Sequence, residues 1–186
     1  DSMRVIVDHL RAATMIMGDN LGLAPSNVDQ GYVVRKLIRR SIRHGKKLGI
    51  ETNFCVDIAK KSIEVLGSVY TELEKNKEFV LREIEKEEEQ FRKTLESGIK
   101  EFEKLLKGFQ MAFEKTNRKI TEVSGKQAFK LYDTYGFPYE MTEELAHEHD
   151  LTVDKAGFDA AFEKHQELSR KGAEQKFKGG MADTGE

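Results

Sequence analysis

The clearest candidate functional residues in this sequence are Lys and Arg residues concentrated near the N-terminus, whose positive charges could bind a polyanion. Between Gly31 and Gly49 there are seven Lys or Arg residues and no Asp or Glu. Such a density of cations neutralises the phosphates of a nucleic acid and releases its condensed counterions, so that binding weakens steeply with salt. The seven cations are Arg35, Lys36, Arg39, Arg40, Arg43, Lys46 and Lys47.

A polar stretch directly before these cations offers groups that can read bases. In PSNVDQG, residues 25–31, the side chains of Asn27, Asp29 and Gln30 carry amide and carboxylate groups on a turn-forming segment. Phosphate contacts fix a protein on a nucleic acid without reading it, whereas contacts to base edges carry specificity. Together the two segments indicate a nucleic-acid-binding surface that includes base recognition.

Motifs for making or breaking covalent bonds are lacking. The sequence has no P-loop, dinucleotide-binding glycine pattern, nucleophile elbow or HExxH motif. Cys55 is the only cysteine. His147 and His149 of the HEH segment would point about 200° apart on a helix, so they are not expected to share a metal. The sequence therefore predicts no catalytic residue and no metal site in this chain.

The distribution of charge supports a local surface for a polyanion. Residues 1–50 carry nine Lys or Arg and four Asp, a net charge of +5; because the whole chain has a net charge of -2, the remainder carries -7. No run approaches 18 apolar residues and no secretory signal is present, which predicts a cytoplasmic chain with no membrane partner. A basic helix could also meet an anionic membrane or calmodulin, but its apolar face is expected to pack into a helical core.

The hydrophobic pattern predicts a mainly α fold. With 38% apolar and 34% charged residues, elongated and well-solvated helices are favoured over a large core. A first helix is expected to end near Gly18 and a shorter one to span about 54–66. From 33 to 44, apolar and basic residues alternate in pairs, so a helix would display its cations and anchor its opposite side. Ser26 or Asn27 is the expected N-cap of this basic helix.

An apolar stripe at three- and four-residue spacing predicts one long helix. The Glu and Lys residues beside the stripe are expected to form a solvated face, and Gly98 and Gly108 mark a bend or a close packing contact. A short β-hairpin or an irregular loop is expected near 118–125, with later helices beginning around Thr142 and at Asp154. The stripe consists of Ile84, Phe91, Leu95, Ile99, Phe102, Leu106, Phe109 and Phe113.

These patterns divide the chain into three parts. Residues 1–116 contain the basic helix and the long helix and form the main helical region, which carries the candidate nucleic-acid-binding surface. Residues 117–172 form a smaller C-terminal helical subdomain. Residues 173–186 are small, polar and Gly-rich, which predicts a linker or a frayed end.

Several ordered motifs resemble alanyl-tRNA synthetases, in the segment that follows their class II catalytic core. DHLRA, PSN and GYV precede an Arg-rich helix in the family's order, and AFKLYDTYGFPYEMTEELA and GFDAAFEKHQELSR match the family further along. The similarity extends from about Arg4 to Arg170. Such an ordered combination is highly specific for this family.

The resemblance implies that this is the mainly helical tRNA-recognition domain, lying against the acceptor stem of tRNA(Ala). The family's identity element is a G·U wobble pair, contacted by the Asn of Pro-Ser-Asn and the Asp of Leu-Tyr-Asp, which correspond to Asn27 and Asp133. The seven cations named above would then contact the tRNA backbone. Lys36 stands where the family usually has Arg, and a Lys ammonium cannot replace a bidentate contact.

The resemblance also implies what the parent protein contains elsewhere. The family joins alanine to its tRNA through an alanyl adenylate made from ATP, and the full-length protein uses ATP, Mg and Zn. The catalytic motifs are expected before residue 1 and the editing domain after residue 186. The chain is therefore expected to be an excised and by itself inactive part of an alanine-tRNA ligase. It would have no cofactor of its own, and the catalytic and editing domains would be its partners.

Two other functions stay open from the residues alone. The chain could be a helical interaction module, whose long apolar stripe pairs with another chain while the basic helix binds nucleic acids non-specifically. Independent catalysis is the third function, and no set of residues supports it.

Overall fold

The computed structural model describes residues 1–180, with side chains described as far as residue 168. This part contains eight helices and one pair of short strands, which confirms the predicted mainly α fold. None of its helices combines the length and the apolarity needed to cross a membrane. In chain order the elements are α1 (Ser2–Gly18), α2 (Asp29–Lys47), α3 (Cys55–Leu66), α4 (Thr71–Lys75), α5 (Lys77–Thr116), β1 (Glu122–Val123), α6 (Gly125–Tyr135), α7 (Tyr139–His147), β2 (Thr152–Val153) and α8 (Lys155–Gly180).

The chain divides into two compact units. Unit 1 comprises Asp1–Glu101 with Tyr135–Pro138, and unit 2 comprises Phe102–Thr134 with the chain from Tyr139 onward. The predicted domain limits, after residues 116 and 172, stay a prediction. Helix α8 continues through 173–180, the first part of the predicted linker or frayed end, and residues 181–186 lie outside the described residues.

Unit 1 is built on the packing of α1 against α2. As predicted, α1 ends at Gly18 and presents one apolar face at helical spacing. Full burial of a Val, Leu, Ile or Met side chain contributes about 1.5–3 kcal/mol relative to exposure. The buried side chains are Ile6, Leu10, Ala13 and Met17 of α1 and Val34, Ile38 and Ile42 of α2.

Glu88 of α5 is completely buried in unit 1 and caps another helix. Its carboxylate oxygens accept the backbone N–H groups of Phe54 at 3.0 Å and Cys55 at 2.9 Å, at the start of α3. Nε of Arg92 donates to the same carboxylate at 3.2 Å. The expected solvated face of the long helix is therefore wrong at Glu88, because its charge is used inside the unit.

The buried position beside Glu88 also determines whether the Cys55 thiol is protonated. Burial, and secondarily the neighbouring carboxylate of Glu88, raises the pKa of the Cys55 thiol. A helix N-terminus normally favours a thiolate. Here desolvation outweighs that effect, so Cys55 stays neutral and acts as a small apolar core residue.

Unit 2 contains the strand pair, which corrects the predicted hairpin. Strand β1 pairs in parallel with β2, with Val123 opposite Val153. A hairpin needs antiparallel strands joined by a short turn, whereas α6 and α7 separate these two strands. Asp154 follows β2 and, as predicted, begins α8, because its Oδ1 accepts the N–H of Gly157 at 2.8 Å.

Gly98 and Gly108 have different surroundings along α5. A Cβ on Gly98 would lie 2.3 Å from Cε2 of Phe137, whereas nothing lies within 4 Å of a Cβ on Gly108. Phe137 is fully buried and packs edge-on against Phe91, with ring centroids 5.9 Å apart. Gly98 therefore marks a close packing contact.

Gly98→Ala should destabilise the protein, whereas Gly108→Ala should not. Alanine favours a helix over glycine by about 1 kcal/mol at either position, but overpacking a fixed aromatic ring costs about 1–3 kcal/mol. Urea unfolding followed by circular dichroism should give a lower free energy of unfolding for Gly98→Ala and an unchanged or higher one for Gly108→Ala. Equal stabilisation by both substitutions would contradict the close contact.

Candidate nucleic-acid interface

The loop before α2 folds back on the first turn of that helix. The N–H of Ser26 donates to the carbonyl of Gly31 at 3.0 Å, and its hydroxyl donates to the carbonyl of Val28 at 2.8 Å. A Cβ on Gly31 would lie 2.7 Å from the carbonyl oxygen of Ala24, so only glycine permits this approach. The predicted N-cap is wrong: Val28 occupies that position with no side-chain cap hydrogen bond, and Ser26 closes the loop instead.

Asn27 is exposed on this loop and is held by one side chain. Its Oδ1 accepts a hydrogen bond from a terminal guanidinium nitrogen of Arg35. The other terminal nitrogen of Arg35 lies 3.5 Å from the carbonyl oxygen of Pro25. Within the described residues the Asn27 side chain makes no further hydrogen bond. Its amide nitrogen can therefore donate to a ligand.

Arg35 and Arg39 converge on one buried carboxylate of α5. Glu87 is 4% exposed, and its Oε1 lies 3.3 Å from Nε of Arg35 and 2.5 Å from Nε of Arg39. Arg39 also donates to the carbonyl of Gly136 at 2.5 Å, and its guanidinium lies 5.0 Å from the ring centroid of Phe91. These two arginine side chains, 18% and 12% exposed, belong to the packing of unit 1. Glu87 is therefore a second glutamate of α5, after Glu88, for which the prediction of a solvated face is wrong.

The other cations of α2 differ in exposure. Arg43 is only 3% exposed, so the expectation that the basic face is displayed to solvent is wrong for this residue. Arg40 lies 3.4 Å from Nε2 of His9 on α1. The basic side of α2 therefore packs partly against neighbouring helices. Lys36, Arg40 and Lys46 are partly exposed, and Lys47 is exposed.

Sequence reasoning missed Glu87, although its spacing carried a signal. The apolar stripe of α5 is interrupted between Ile84 and Phe91, which are separated by six residues. Glu87 and Glu88 stand three and four residues after Ile84, where a helix presents the same face. Acids within an apolar stripe, in a chain with a run of arginines elsewhere, indicate buried ion-pair partners.

Asp133 lies on α6 in unit 2. Its side chain is 45% exposed, with Oδ1 3.7 Å from Nδ1 of His165. The preceding residue, Tyr132, packs edge-on against Phe158 and Phe162, with centroid distances of 5.7 and 5.4 Å. Adjacent helical residues point about 100° apart, so the aromatic cluster fixes α6 while the Asp133 carboxylate remains accessible as an acceptor.

The structure thus brings some of the predicted site residues together. Arg35 contacts Asn27 directly and shares Glu87 with Arg39, whereas Asp133 belongs to the other unit. In the part of the chain that the structure describes, no three His, Cys, Asp or Glu residues are grouped so that they could hold a metal ion.

Removal of the shared carboxylate should destabilise the protein strongly. Glu87→Ala leaves Arg35 and Arg39 without their common anion, and breaking a buried ion pair from one side costs about 3–5 kcal/mol. Glu89→Ala is the matched control, because Glu89 is exposed on the same helix and such changes stay within about 0.5 kcal/mol. Urea unfolding of both variants measures the difference, and similar stabilities would contradict the structural role of Glu87.

Nearly the whole sequence is similar to known tRNA synthetases. The sequence model of the family described as tRNA synthetases class II (A) matches residues 1–184. The chain is 57% identical over 185 residues to an alanine–tRNA ligase of Treponema denticola, which covers 100% of this chain and 30% of the relative.

Two further relatives carry the same name. An alanine–tRNA ligase of Treponema pallidum is 49% identical over 182 residues, covering 98% of this chain and 29% of the relative. One from a Synechococcus species is 44% identical over 172 residues, covering 92% and 18%. The chain therefore spans less than a third of the length of these relatives. Because the family match extends over nearly the entire chain, the protein belongs to the class II (A) tRNA synthetase family.

Proposed function

We propose that this chain is the part of an alanine–tRNA ligase that recognises the acceptor stem of tRNA(Ala). Relatives named alanine–tRNA ligase match almost the whole chain at about half identity. One structural observation carries the proposal: an exposed Asn27 whose amide orientation is fixed by Arg35. A recognition residue must present one defined group to a base, and this arrangement supplies it.

Asn27 would contact the uracil of a G·U wobble pair. With Oδ1 engaged by Arg35, the amide nitrogen is left to donate, and uracil offers a carbonyl oxygen at the minor-groove edge. The minor groove of an RNA helix is wide and shallow, so a side chain on an exposed loop can reach base edges there.

Asp133 would contact the guanine of the same pair. In a G·U pair the guanine 2-amino group is not used in base pairing, so a carboxylate can accept from it. Asp133 is a half-exposed carboxylate on a helix that the aromatic cluster fixes. A Watson–Crick pair would leave one of these polar groups without its partner, at a cost of about 1–3 kcal/mol.

The tRNA backbone would be contacted chiefly by the less buried cations of α2. Lys36, Arg40, Lys46 and Lys47 are the best placed of the seven, since Arg35 and Arg39 already share Glu87 and Arg43 is buried. Such contacts contribute affinity without reading the sequence and weaken with salt.

The activity of the whole protein follows as part of the same proposal. An alanine–tRNA ligase joins alanine to tRNA at the expense of ATP, and that chemistry would require residues outside this chain. The part of it performed here is to bind and orient the acceptor stem.

The proposal is tested by binding to two acceptor-stem hairpins that differ only in carrying G·U or G·C. We expect wild type to prefer the G·U hairpin, and Asn27→Ala or Asp133→Ala to reduce the preference by about 1–3 kcal/mol. Lys47→Ala is the control for phosphate contacts. It should weaken binding to both hairpins alike. It should also reduce the salt slope, which is the slope of the logarithm of the binding constant against the logarithm of the salt concentration, by about one.

The measurement is the dissociation constant of each hairpin at two salt concentrations. Wild-type binding that is equal for the two hairpins, or equal losses on both in all three variants, would contradict recognition of the wobble pair by this chain.

A further inference from the structure

Arg35 joins a buried carboxylate to the loop that carries Asn27. Its Nε lies 3.3 Å from Glu87, and its terminal nitrogens face Asn27 Oδ1 and the carbonyl of Pro25. We propose that Arg35 is a positioning residue, which makes Asn27 a hydrogen-bond donor towards RNA. The inference rests on the proposed function, and it replaces the expected backbone contact of Arg35 with a role in specificity.

The loop itself does not fix the Asn27 side chain. Its internal hydrogen bonds join Ser26 to Gly31 and Val28 and involve the backbone or the Ser26 hydroxyl. Among the described residues, the only hydrogen-bond partner of the Asn27 side chain is Arg35. The direction of the amide therefore depends on that guanidinium.

The direction of the amide determines what it can recognise. A primary amide has an acceptor and a donor end of nearly the same shape, and a half-turn about its last side-chain bond exchanges them. Arg35 donates to Oδ1, so the acceptor end is occupied and Nδ2 is presented. Without this contact both orientations become accessible, and Asn27 could meet a base donor as readily as a base acceptor.

The surroundings of Arg35 disfavour a direct phosphate contact. A polar cavity of about 180 Å³ lies beside it, and the carboxylates of Glu83 and Glu87 line this cavity together with Lys86. In this cavity the negative charges of Glu83 and Glu87 offset the attraction that Arg35 and Lys86 would exert on a phosphate. Arg35 thus has its anion within the protein and serves the loop rather than the RNA backbone.

A lysine cannot reproduce this set of contacts. The guanidinium is a planar fork that addresses Glu87, Asn27 and Pro25 at once, whereas a lysine ammonium is a single flexible point charge. Arg35→Lys therefore keeps the charge of α2 and removes the geometry. Arg40→Lys is the matched control, because it makes the same substitution on the same helix at a residue facing His9.

The test measures the ratio of dissociation constants for the G·C and G·U hairpins with the 186-residue chain. We expect Arg35→Lys to lower this ratio by about twofold, less than Asn27→Ala does, because about half of the Asn27 amides would still present Nδ2, and to leave the salt slope unchanged. The double variant should have the same ratio as Asn27→Ala alone, since both changes act on one contact. Because Arg40 is proposed to contact the tRNA backbone, Arg40→Lys should change both dissociation constants alike and leave their ratio at the wild-type value.

The outcomes separate this inference from the proposed function. If Asn27→Ala lowers the ratio but Arg35→Lys does not, the positioning role is overturned and the recognition by Asn27 stands. If Arg35→Lys weakens both hairpins equally and so leaves their ratio at the wild-type value, Arg35 acts as a phosphate contact and the inference is also overturned. If Asn27→Ala leaves the ratio unchanged, the proposed recognition by Asn27 is contradicted, and the positioning role of Arg35 is overturned with it.

A second variant covers the case in which Arg35→Lys does not fold. Glu87→Gln keeps Arg35 and the size of its partner but removes the negative charge that anchors the guanidinium. We expect it to lower the ratio partway towards that of Asn27→Ala. A wild-type ratio in a folded Glu87→Gln protein would count against the positioning of Asn27 through this ion pair.

Discussion

The carboxylate of Glu87 is the constraint on which the N-terminal unit depends. It is nearly inaccessible to water, and two arginines one helical turn apart on α2 converge on it. A buried charge is tolerated only when it is paired and hydrogen-bonded. The pairing therefore fixes where α5 lies against α2. Arg39 extends it to the Tyr135–Pro138 segment through the carbonyl of Gly136, and Arg35 extends it to the loop that carries Asn27.

Two adjacent glutamates of α5 thus perform different tasks. Glu88 satisfies backbone N–H groups at the start of α3, and Arg92 completes its hydrogen bonding. Glu87 instead neutralises the positive charges of Arg35 and Arg39. Both pair buried polar groups of other elements: Glu88 accepts hydrogen bonds from Phe54 and Cys55, and Glu87 accepts one from Arg39 and forms an ion pair with Arg35. Part of the apparent excess of positive charge on α2 is therefore internal to the fold. This explains how a helix with seven cations can pack inside a unit rather than only on its surface.

Most of the fold could be predicted from local patterns, because helical periodicity and caps act over a few residues. The end of α1 at Gly18, the helical course of residues 33–44 in α2 and the Asp154 start of α8 followed from such signals. The parallel pairing of β1 with β2 did not, since it joins residues about thirty positions apart and no turn signal encodes it. Asn27 and Asp133 came from a family resemblance, and their recognition role stays a prediction. The burial of Arg43 and Glu87 required knowledge of which helices face each other, which single-helix patterns do not contain.

The most direct measurement is a structure of this chain bound to an acceptor-stem hairpin that carries the G·U pair. The account predicts that Arg35 remains on Glu87 and on Oδ1 of Asn27, that the amide nitrogen of Asn27 donates to the uracil, and that phosphates lie near cations such as Lys47. A complex in which Arg35 and Arg39 leave Glu87 to bind phosphates, with Asn27 away from the bases, would contradict it.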